Sequence, residues 1–263
     1  MNSLRRMRPL LGTFVEIGTD RPGAAAAIAE AFRVIERIQR HLSFQDPESE
    51  LSRLNRSGGE FVAMHPSSIR VLEHALELGR ASGGRFNCTV GGALVLRGLL
   101  PDHGGPEPVP CGVPEDVEVS GYSARLRRPV RVTLDGIAKG FAVDCAVEAL
   151  LAAGVDRGWV NAGGDLRAFG DLELPIQRRE AGGYRLIGRL RGAALATSSQ
   201  QVRPDADFPG VLIGTAVAAG TWSVTAPCAW LADALTKVAA LAEPARRSDL
   251  VAQLGGRLLP ATA

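Results

Sequence analysis

The sequence contains few of the side chains from which metal clusters and disulfide frameworks are built. Among 263 residues there are four histidines and four cysteines. The cysteines are scattered at Cys88, Cys111, Cys145 and Cys228, with no Cys-x-x-Cys pair. This spacing indicates neither a zinc site nor a disulfide framework. Free thiols in this number are typical of a reducing compartment.

Long apolar runs are also missing. No stretch approaches the ~20 consecutive apolar residues that a membrane-spanning helix needs. Residues 1–18 carry arginines, but their apolar part is too short for a signal peptide. We therefore expect a cytoplasmic protein without a membrane span.

The chain lacks an excess of charge of either sign. It has 30 basic and 28 acidic residues, a formal net charge of +2 and a pI of about 8.5. This balance gives no electrostatic case for a nucleic-acid partner. With 46% hydrophobic residues, the chain can bury a sizeable core. We expect a single domain over residues 1–263, with two interleaved lobes as the alternative.

The segment LDGIAKGFAVD at residues 134–144 combines turn residues, a cation and a helix start. Gly136 and Gly140 permit close approach of a ligand, and Lys139 lies between them. Apolar residues then recur at helical spacing. A helix N-terminus beside a lysine can bind phosphate oxygens. A glycine-rich turn at residues 161–165 follows, although turn chemistry alone is an equal alternative for segments of this kind.

Hydrophobic periodicity predicts both helices and strands. The predicted helices are residues 24–42, a short one opening at Leu51, and residues 66–82, 141–151, 231–241 and 248–254. The predicted strands are residues 13–18, 117–119, 123–126, 130–134, 184–190, 194–197, 211–217 and 222–226. The strands form hairpin-like groups rather than strict βαβ alternation. The pattern therefore favours an α+β fold with largely antiparallel sheets packed by helices.

Seven short segments form a further pattern when they are taken in chain order. They are LGTF at 11–14, SFQDPESELSRLN at 43–55, FNCTVG at 86–91, LDGIAKGFAVD at 134–144, NAGGD at 161–165, ATSS at 196–199, and SVT with ADALT between 223 and 236. Each is modest alone. In this order they resemble the ApbE family, the FAD:protein FMN transferases, over about residues 10–240.

The resemblance implies an activity and its partners. Family members use Mg²⁺ to cleave the diphosphate of FAD, transfer FMN to a threonine or serine of a target flavoprotein, and release AMP. By resemblance, this chain is a transferase with an ApbE-like fold, FAD as donor substrate, Mg²⁺ as cofactor and a target flavoprotein as partner. The family also makes a periplasmic location an alternative.

The resemblance also assigns site residues. The flavin-nucleotide contacts are Leu11, Phe44, Leu96, Arg97, Gly98, Thr133 and Lys139, with Asp135 beside them. The metal would take the carbonyl of Gly136, the carboxylate of Asp233 and the hydroxyl of Thr236, which are hard oxygen ligands. As an alternative, Asp233 only caps a helix. No catalytic residue is assigned.

Two departures from the family pattern bear on chemistry. The family's hydroxyl ligand lies four residues after the aspartate, where this chain has Lys237. Either Thr236 substitutes for that ligand, or Lys237 replaces part of the metal's charge, or Lys237 points to solvent. The family's H-x-x-D-P-x-T-G segment has no counterpart, because residues 198–222 contain no histidine. The alternatives are therefore a catalytically impaired FAD-binding protein or scaffold and an FAD pyrophosphatase.

Overall fold

The computed structural model describes residues 4–180, 183–200 and 220–260. Within these ranges the helices are α1 (Ala25–Leu42), α2 (Glu50–Arg56), α3 (Pro66–Ala81), α4 (Gly91–Leu96), α5 (Ala138–Ala152), α6 (Ala229–Leu241) and α7 (Arg247–Gln253). The strands are β1 (Leu4–Leu10), β2 (Thr13–Thr19), β3 (Val62–Ala63), β4 (Val117–Ser120), β5 (Ser123–Leu126), β6 (Gly158–Ala162), β7 (Asp165–Phe169), β8 (Glu173–Glu180), β9 (Gly183–Arg191), β10 (Ala194–Gln200), β11 (Gly220–Ala226) and β12 (Arg257–Leu258).

A seven-stranded antiparallel sheet organises the fold. Its strand order is β1-β2-β6-β7-β10-β11-β12. The β6–β7 hairpin turns at Gly163 and Gly164, whose φ values of 60° and 104° favour glycine. Smaller antiparallel sheets have the orders β3-β5-β4 and β8-β9. The predicted α+β fold of antiparallel sheets and helices is confirmed.

Helix α5 lies at the centre of the packing. It contacts α1 and α6 as well as strands β6 and β7. Its residues from Gly140 to Val147 are all buried, which explains why the sequence there is apolar on every side. Helix α1 instead buries a single stripe that includes Ile28, Phe32 and Ile35. No helix in the described part of the chain is long and apolar enough to cross a membrane.

Gly140 sets how closely α5 approaches α6. A Cβ atom at this position would lie 2.3 Å from the carbonyl oxygen of Ala229 and 2.8 Å from the Cα of Trp230. Only glycine therefore allows the first turns of the two helices to touch. This contact brings the start of α5 beside the side chains on α6.

One predicted strand is wrong. Residues 130–134 join no described sheet and form only a single parallel bridge, between Val90 and Arg131. The side-chain amide of Asn55 takes the place of a neighbouring strand, because it donates to the carbonyl of Val132 at 2.9 Å and accepts from its N–H at 2.7 Å. A side chain distant in sequence thus satisfies backbone groups that the pattern assigned to a strand.

The remaining differences concern elements without a clear periodic pattern in the sequence. The sequence did not predict β1, which is mostly exposed and carries three arginines. It also did not predict the short helix α4 or the strands β3, β6, β7, β8 and β12. The predicted strand at 211–217 lies outside the described residues. The predicted helices and the other predicted strands are confirmed, with ends shifted by a few residues.

Substituting Gly140 with alanine tests the contact between α5 and α6. We expect Gly140→Ala to lower the free energy of unfolding by roughly 1–3 kcal/mol, because the new methyl group meets rigid backbone. Urea denaturation measures the change. Leu151→Ala on the exposed side of the same helix is the control and should cost less than about 0.5 kcal/mol. Equal stability of Gly140→Ala and the wild type would contradict the assigned packing.

Candidate functional site

Five charged side chains converge around the start of α5, on one face of α6 and at the first residue of β7. We call this group the charged recess; it consists of Asp135, Lys139, Asp165, Asp233 and Lys237. The predicted residues Lys139 and Asp233 are thus brought together. Their proximity follows from the contact of the two helices at Gly140 and from the β6–β7 hairpin.

Lys139 pairs with Asp165, the first residue of β7. The Lys139 Nζ lies 2.8 Å from the Asp165 Oδ2, and the aspartate side chain is only 3% exposed. Burial acts to lower the pKa of Lys139, but the nearby carboxylates of Asp165 and Asp233 outweigh it and raise that pKa. Burial and the charge of Asp233 raise the pKa of Asp165 to about 6, against the opposing effect of the lysines.

Asp233 is fully buried on α6 and both of its carboxylate oxygens are engaged. Its Oδ2 accepts a hydrogen bond of 3.2 Å from the backbone N–H of Gly140, in the first turn of α5. Its Oδ1 forms an ion pair with the Nζ of Lys237, which also donates to the backbone carbonyl of Asp233 at 3.2 Å. Asp233 therefore supplies the negative charge that a helix N-terminus favours.

Thr236 is also fully buried, but its hydroxyl serves the structure of α6 and β10. The Oγ1 donates to the backbone carbonyl of Asp233 at 2.6 Å. It also lies 2.7 Å from the Oγ of Ser198 on β10. The hydroxyl is thus held within its own helix and against the sheet.

The residues predicted to bind a metal do not fit a divalent cation as they are arranged. The Asp233 carboxylate is paired with an ammonium, and the Thr236 hydroxyl is hydrogen-bonded within the protein. At Gly136, a Cβ would lie 3.6 Å from the Cε of Lys237, so the lysine stem covers this glycine. Across the ranges that the structure describes, no three His, Cys, Asp or Glu side chains are grouped to hold a metal.

Asp135 is the carboxylic acid of the recess that solvent reaches. Its carboxyl group nevertheless loses part of its hydration to the surrounding protein. This loss of hydration raises its pKa, against the lowering effects of Thr133, Lys139 and Lys237. The backbone N–H of Thr133 donates to the carbonyl of Cys88 at 2.8 Å, which fixes the segment before Asp135.

Apart from Lys139 and Thr133, the residues predicted to contact flavin lie in separate turns and at the end of α4. No described hydrogen bond or ion pair joins them to the charged recess. Leu11 has a φ of 56°, and its N–H donates to the Oε1 of Gln39 at 2.7 Å. Phe44 is buried, whereas Leu96, Arg97 and Gly98 are exposed at the end of α4. Their role in flavin binding stays a prediction.

Asp144 is a positioning residue that the sequence did not reveal. Its carboxylate accepts the backbone N–H groups of Ala229 and Trp230, at 2.9 and 2.8 Å, and pairs with Arg167 at 2.6 Å. Burial outweighs these bonds and raises its pKa. Asp144 thus fixes the start of α6. The sequence offered one indication of this role, because Asp144 is a single carboxylate within the apolar run from Phe141 to Val147 of α5.

A sequence profile of the ApbE family matches residues 11–258 of this chain. The chain belongs to the ApbE family. This membership fits the site, since the charged recess is built from three of the family's segments.

Several curated relatives share part of the sequence. The chain is 29% identical over 182 residues to the FAD:protein FMN transferase of Vibrio cholerae, covering 62% of this chain and 53% of that protein. It is also 29% identical over 191 residues to the enzyme of the same name from Treponema pallidum, covering 63% of this chain and 51% of that protein. The match therefore spans about half the length of these relatives.

Solved ApbE structures share the fold over nearly the whole chain. The ApbE protein from Thermotoga maritima aligns with a TM-score of 0.82 at 22% identity, covering 98% of this chain and 93% of that one. The flavin transferase ApbE from Vibrio cholerae aligns with a TM-score of 0.77 at 23% identity, covering 95% and 90% of the two chains. These likenesses establish an ApbE fold.

Removing the Asp144 carboxylate should loosen the start of α6. We expect Asp144→Ala to lower the free energy of unfolding by about 2–4 kcal/mol, because two N–H groups and Arg167 lose their acceptor. Chemical denaturation measures this loss. Glu148→Ala is the control, since Glu148 forms only an exposed ion pair with Arg70 and should cost less than about 1 kcal/mol. Similar losses for both variants would refute a special role for Asp144.

The raised pKa of Asp165 predicts a pH dependence of stability. The folded chain binds this proton more tightly than the unfolded chain, because the pKa rises from 3.8 to about 6 on folding. The contribution of Asp165 to stability therefore falls as the pH rises between these two values. Relative to Asp165→Asn, the wild type should lose free energy of unfolding over this interval. A difference that does not change with pH would contradict the assignment.

Proposed function

We propose that this chain is an FAD:protein FMN transferase. It would transfer FMN from FAD to a threonine or serine of a target flavoprotein and release AMP. The observation that carries the proposal is the convergence of Lys139, Asp165 and Asp233 in one recess, on segments that match the family pattern. The names of the curated relatives support it for the half of those proteins that the chain matches.

The reaction asks mainly for charge neutralisation and positioning. The acceptor hydroxyl oxygen forms a bond to the phosphorus of the FMN half of FAD, and the diphosphate bond to AMP breaks. Both the diphosphate and the departing AMP carry negative charge, which positive groups must offset. The ammonium groups of Lys139 and Lys237 lie in the recess to provide this charge.

The acceptor hydroxyl must also lose a proton. Asp165 and Asp233 are 2% and 0% exposed, whereas Asp135 is open to solvent. The raised pKa of Asp135 makes its carboxylate a stronger base than that of an unperturbed aspartate. We therefore assign Asp135 as the candidate general base.

The flavin-contact residues predicted from the resemblance complete the proposal. Leu11, Phe44 and the exposed stretch Leu96-Arg97-Gly98 would contact the flavin nucleotide, with Thr133 beside Asp135. Mg²⁺ has no step in this proposal, because the arrangement of Asp233, Thr236 and Lys237 does not fit it.

The transfer assay combines the protein with FAD and a flavoprotein from the same source that carries an acceptor threonine or serine. Mass spectrometry should show covalent FMN on the acceptor, with AMP released in equal amount. Free FMN and AMP without a labelled acceptor would replace the transferase by a pyrophosphatase. FAD binding without AMP release would leave a catalytically impaired FAD-binding protein, the alternative that the Asp233–Lys237 ion pair favours.

Removing the charge of Lys139 should weaken FAD binding. We expect Lys139→Met combined with Asp165→Asn to lower FAD affinity by about tenfold or more, because a charge-assisted contact to phosphate is lost. The double substitution leaves no unpaired buried charge. Flavin fluorescence measures the affinity, and Arg33→Met on the exposed face of α1 is the control. Unchanged affinity in the double variant would remove Lys139 from the site.

A further inference from the structure

The two lysines of the charged recess are the only lysines in the whole sequence. Of the 30 basic residues, positions 139 and 237 are lysine, which leaves 28 arginines. Every basic residue outside the charged recess is therefore an arginine. A lysine differs from an arginine by a compact ammonium group that can lie close to one carboxylate oxygen. Lys139 and Lys237 each place this ammonium group beside one carboxylate oxygen, of Asp165 and Asp233 respectively.

Lys237 has the contacts of a fixed counter-ion. Asp233 and Lys237 are four residues apart on α6, so that their side chains share one face. The lysine side chain is 17% exposed, and its Nζ contacts both the carboxylate and the backbone carbonyl of Asp233. The lysine stem lies over Gly136, where a Cβ would stand 3.6 Å from the Cε of Lys237. The ammonium is thus held inside the recess rather than in solvent.

This position conflicts with a divalent cation. Mg²⁺ needs ligand oxygens at about 2.0–2.1 Å in octahedral geometry. On Asp233, one oxygen pairs with the ammonium and the other accepts the Gly140 N–H. A second cation on this carboxylate would lie within a few ångströms of the ammonium and be repelled by it.

We propose that Lys237 replaces a divalent metal as the counter-ion of Asp233, and that Lys237 and Lys139 together bind a diphosphate without metal. The first part stands on the geometry of the recess alone. The second part rests on the proposed function, since FAD supplies the diphosphate. The ammonium of Lys139 forms an ion pair with Asp165, and the ammonium of Lys237 forms one with Asp233.

Binding of Mn²⁺, followed by electron paramagnetic resonance, tests the first part. The wild type should bind no more Mn²⁺ than Asp233→Asn does. Lys237→Met should gain affinity for Mn²⁺ by about tenfold or more, because the competing cation is gone. Adding Asp233→Asn to Lys237→Met should remove the gain. A wild-type Mn²⁺ site that Asp233→Asn abolishes would overturn the proposal, as would a folded Lys237→Met variant that gains nothing.

A second measurement avoids any loss of folding in Lys237→Met. Protein labelled with ¹⁵N-lysine has only two lysine side-chain signals to assign, and Lys237→Arg identifies one of them. On addition of MgCl₂, the Lys237 signal of the wild type should stay in place. A saturable shift of that signal would show displacement of the ammonium by the metal and would overturn the proposal.

FAD binding in the presence of EDTA tests the second part. The wild type should bind FAD equally well with EDTA and with Mg²⁺, and ¹⁵N-lysine spectra should show both lysine signals shifting on addition of inorganic pyrophosphate. Binding of FAD that requires Mg²⁺ would overturn metal-free recognition. If FAD fails to bind under both conditions, the proposed function fails, while the Mn²⁺ result still decides the role of Lys237.

Discussion

The buried carboxylate of Asp233 is the constraint on which the site depends. Because it is fully buried, each of its oxygens needs a partner within the protein. One partner is the Gly140 N–H at the start of α5, and the other is the ammonium of Lys237 on its own helix. Asp233 thereby links the two helices at the point where Gly140 lets them touch. Asp144 holds the same junction from the other side by capping α6.

The junction concentrates opposite charges in a small volume. Three carboxylic acids and two ammonium groups share the recess, and the acids raise the pKa of Lys139 while burial raises that of Asp165. The three acids differ in burial: Asp165 and Asp233 are buried and pair with the lysines, whereas Asp135 is exposed to solvent. In the proposed function the two lysines meet the diphosphate of FAD, and Asp135 accepts the proton of the acceptor hydroxyl.

Much of the fold followed from periodicity in the sequence. Helix α1 has a clean apolar stripe, and the turn at Gly163 and Gly164 was marked by its glycines. Strand β1 escaped prediction because three arginines interrupt its pattern and its face is exposed. The stretch 130–134 looked like a strand, but Asn55 satisfies its backbone, which no local pattern could indicate.

The site was predicted in part. Its segments were identified from their order along the chain, and the structure places Lys139 near enough to Asp233 for their charges to interact. The sequence left open where Lys237 points, because an i,i+4 pair on a helix can face the protein or the solvent. The hydroxyl of Thr236 could be assigned to the helix backbone only once its partners were known. Asp144 shows that residues which position a site are hidden when their partners are backbone groups distant in sequence.

The most direct measurement is a crystal structure of the wild-type protein with FAD, grown in the presence of Mg²⁺. The Lys237 ammonium should remain on the Asp233 carboxylate and contact an oxygen of the FAD diphosphate, with no metal ion on Asp233. A Mg²⁺ ion bound to Asp233, with Lys237 displaced towards solvent, would contradict the role assigned to this ion pair.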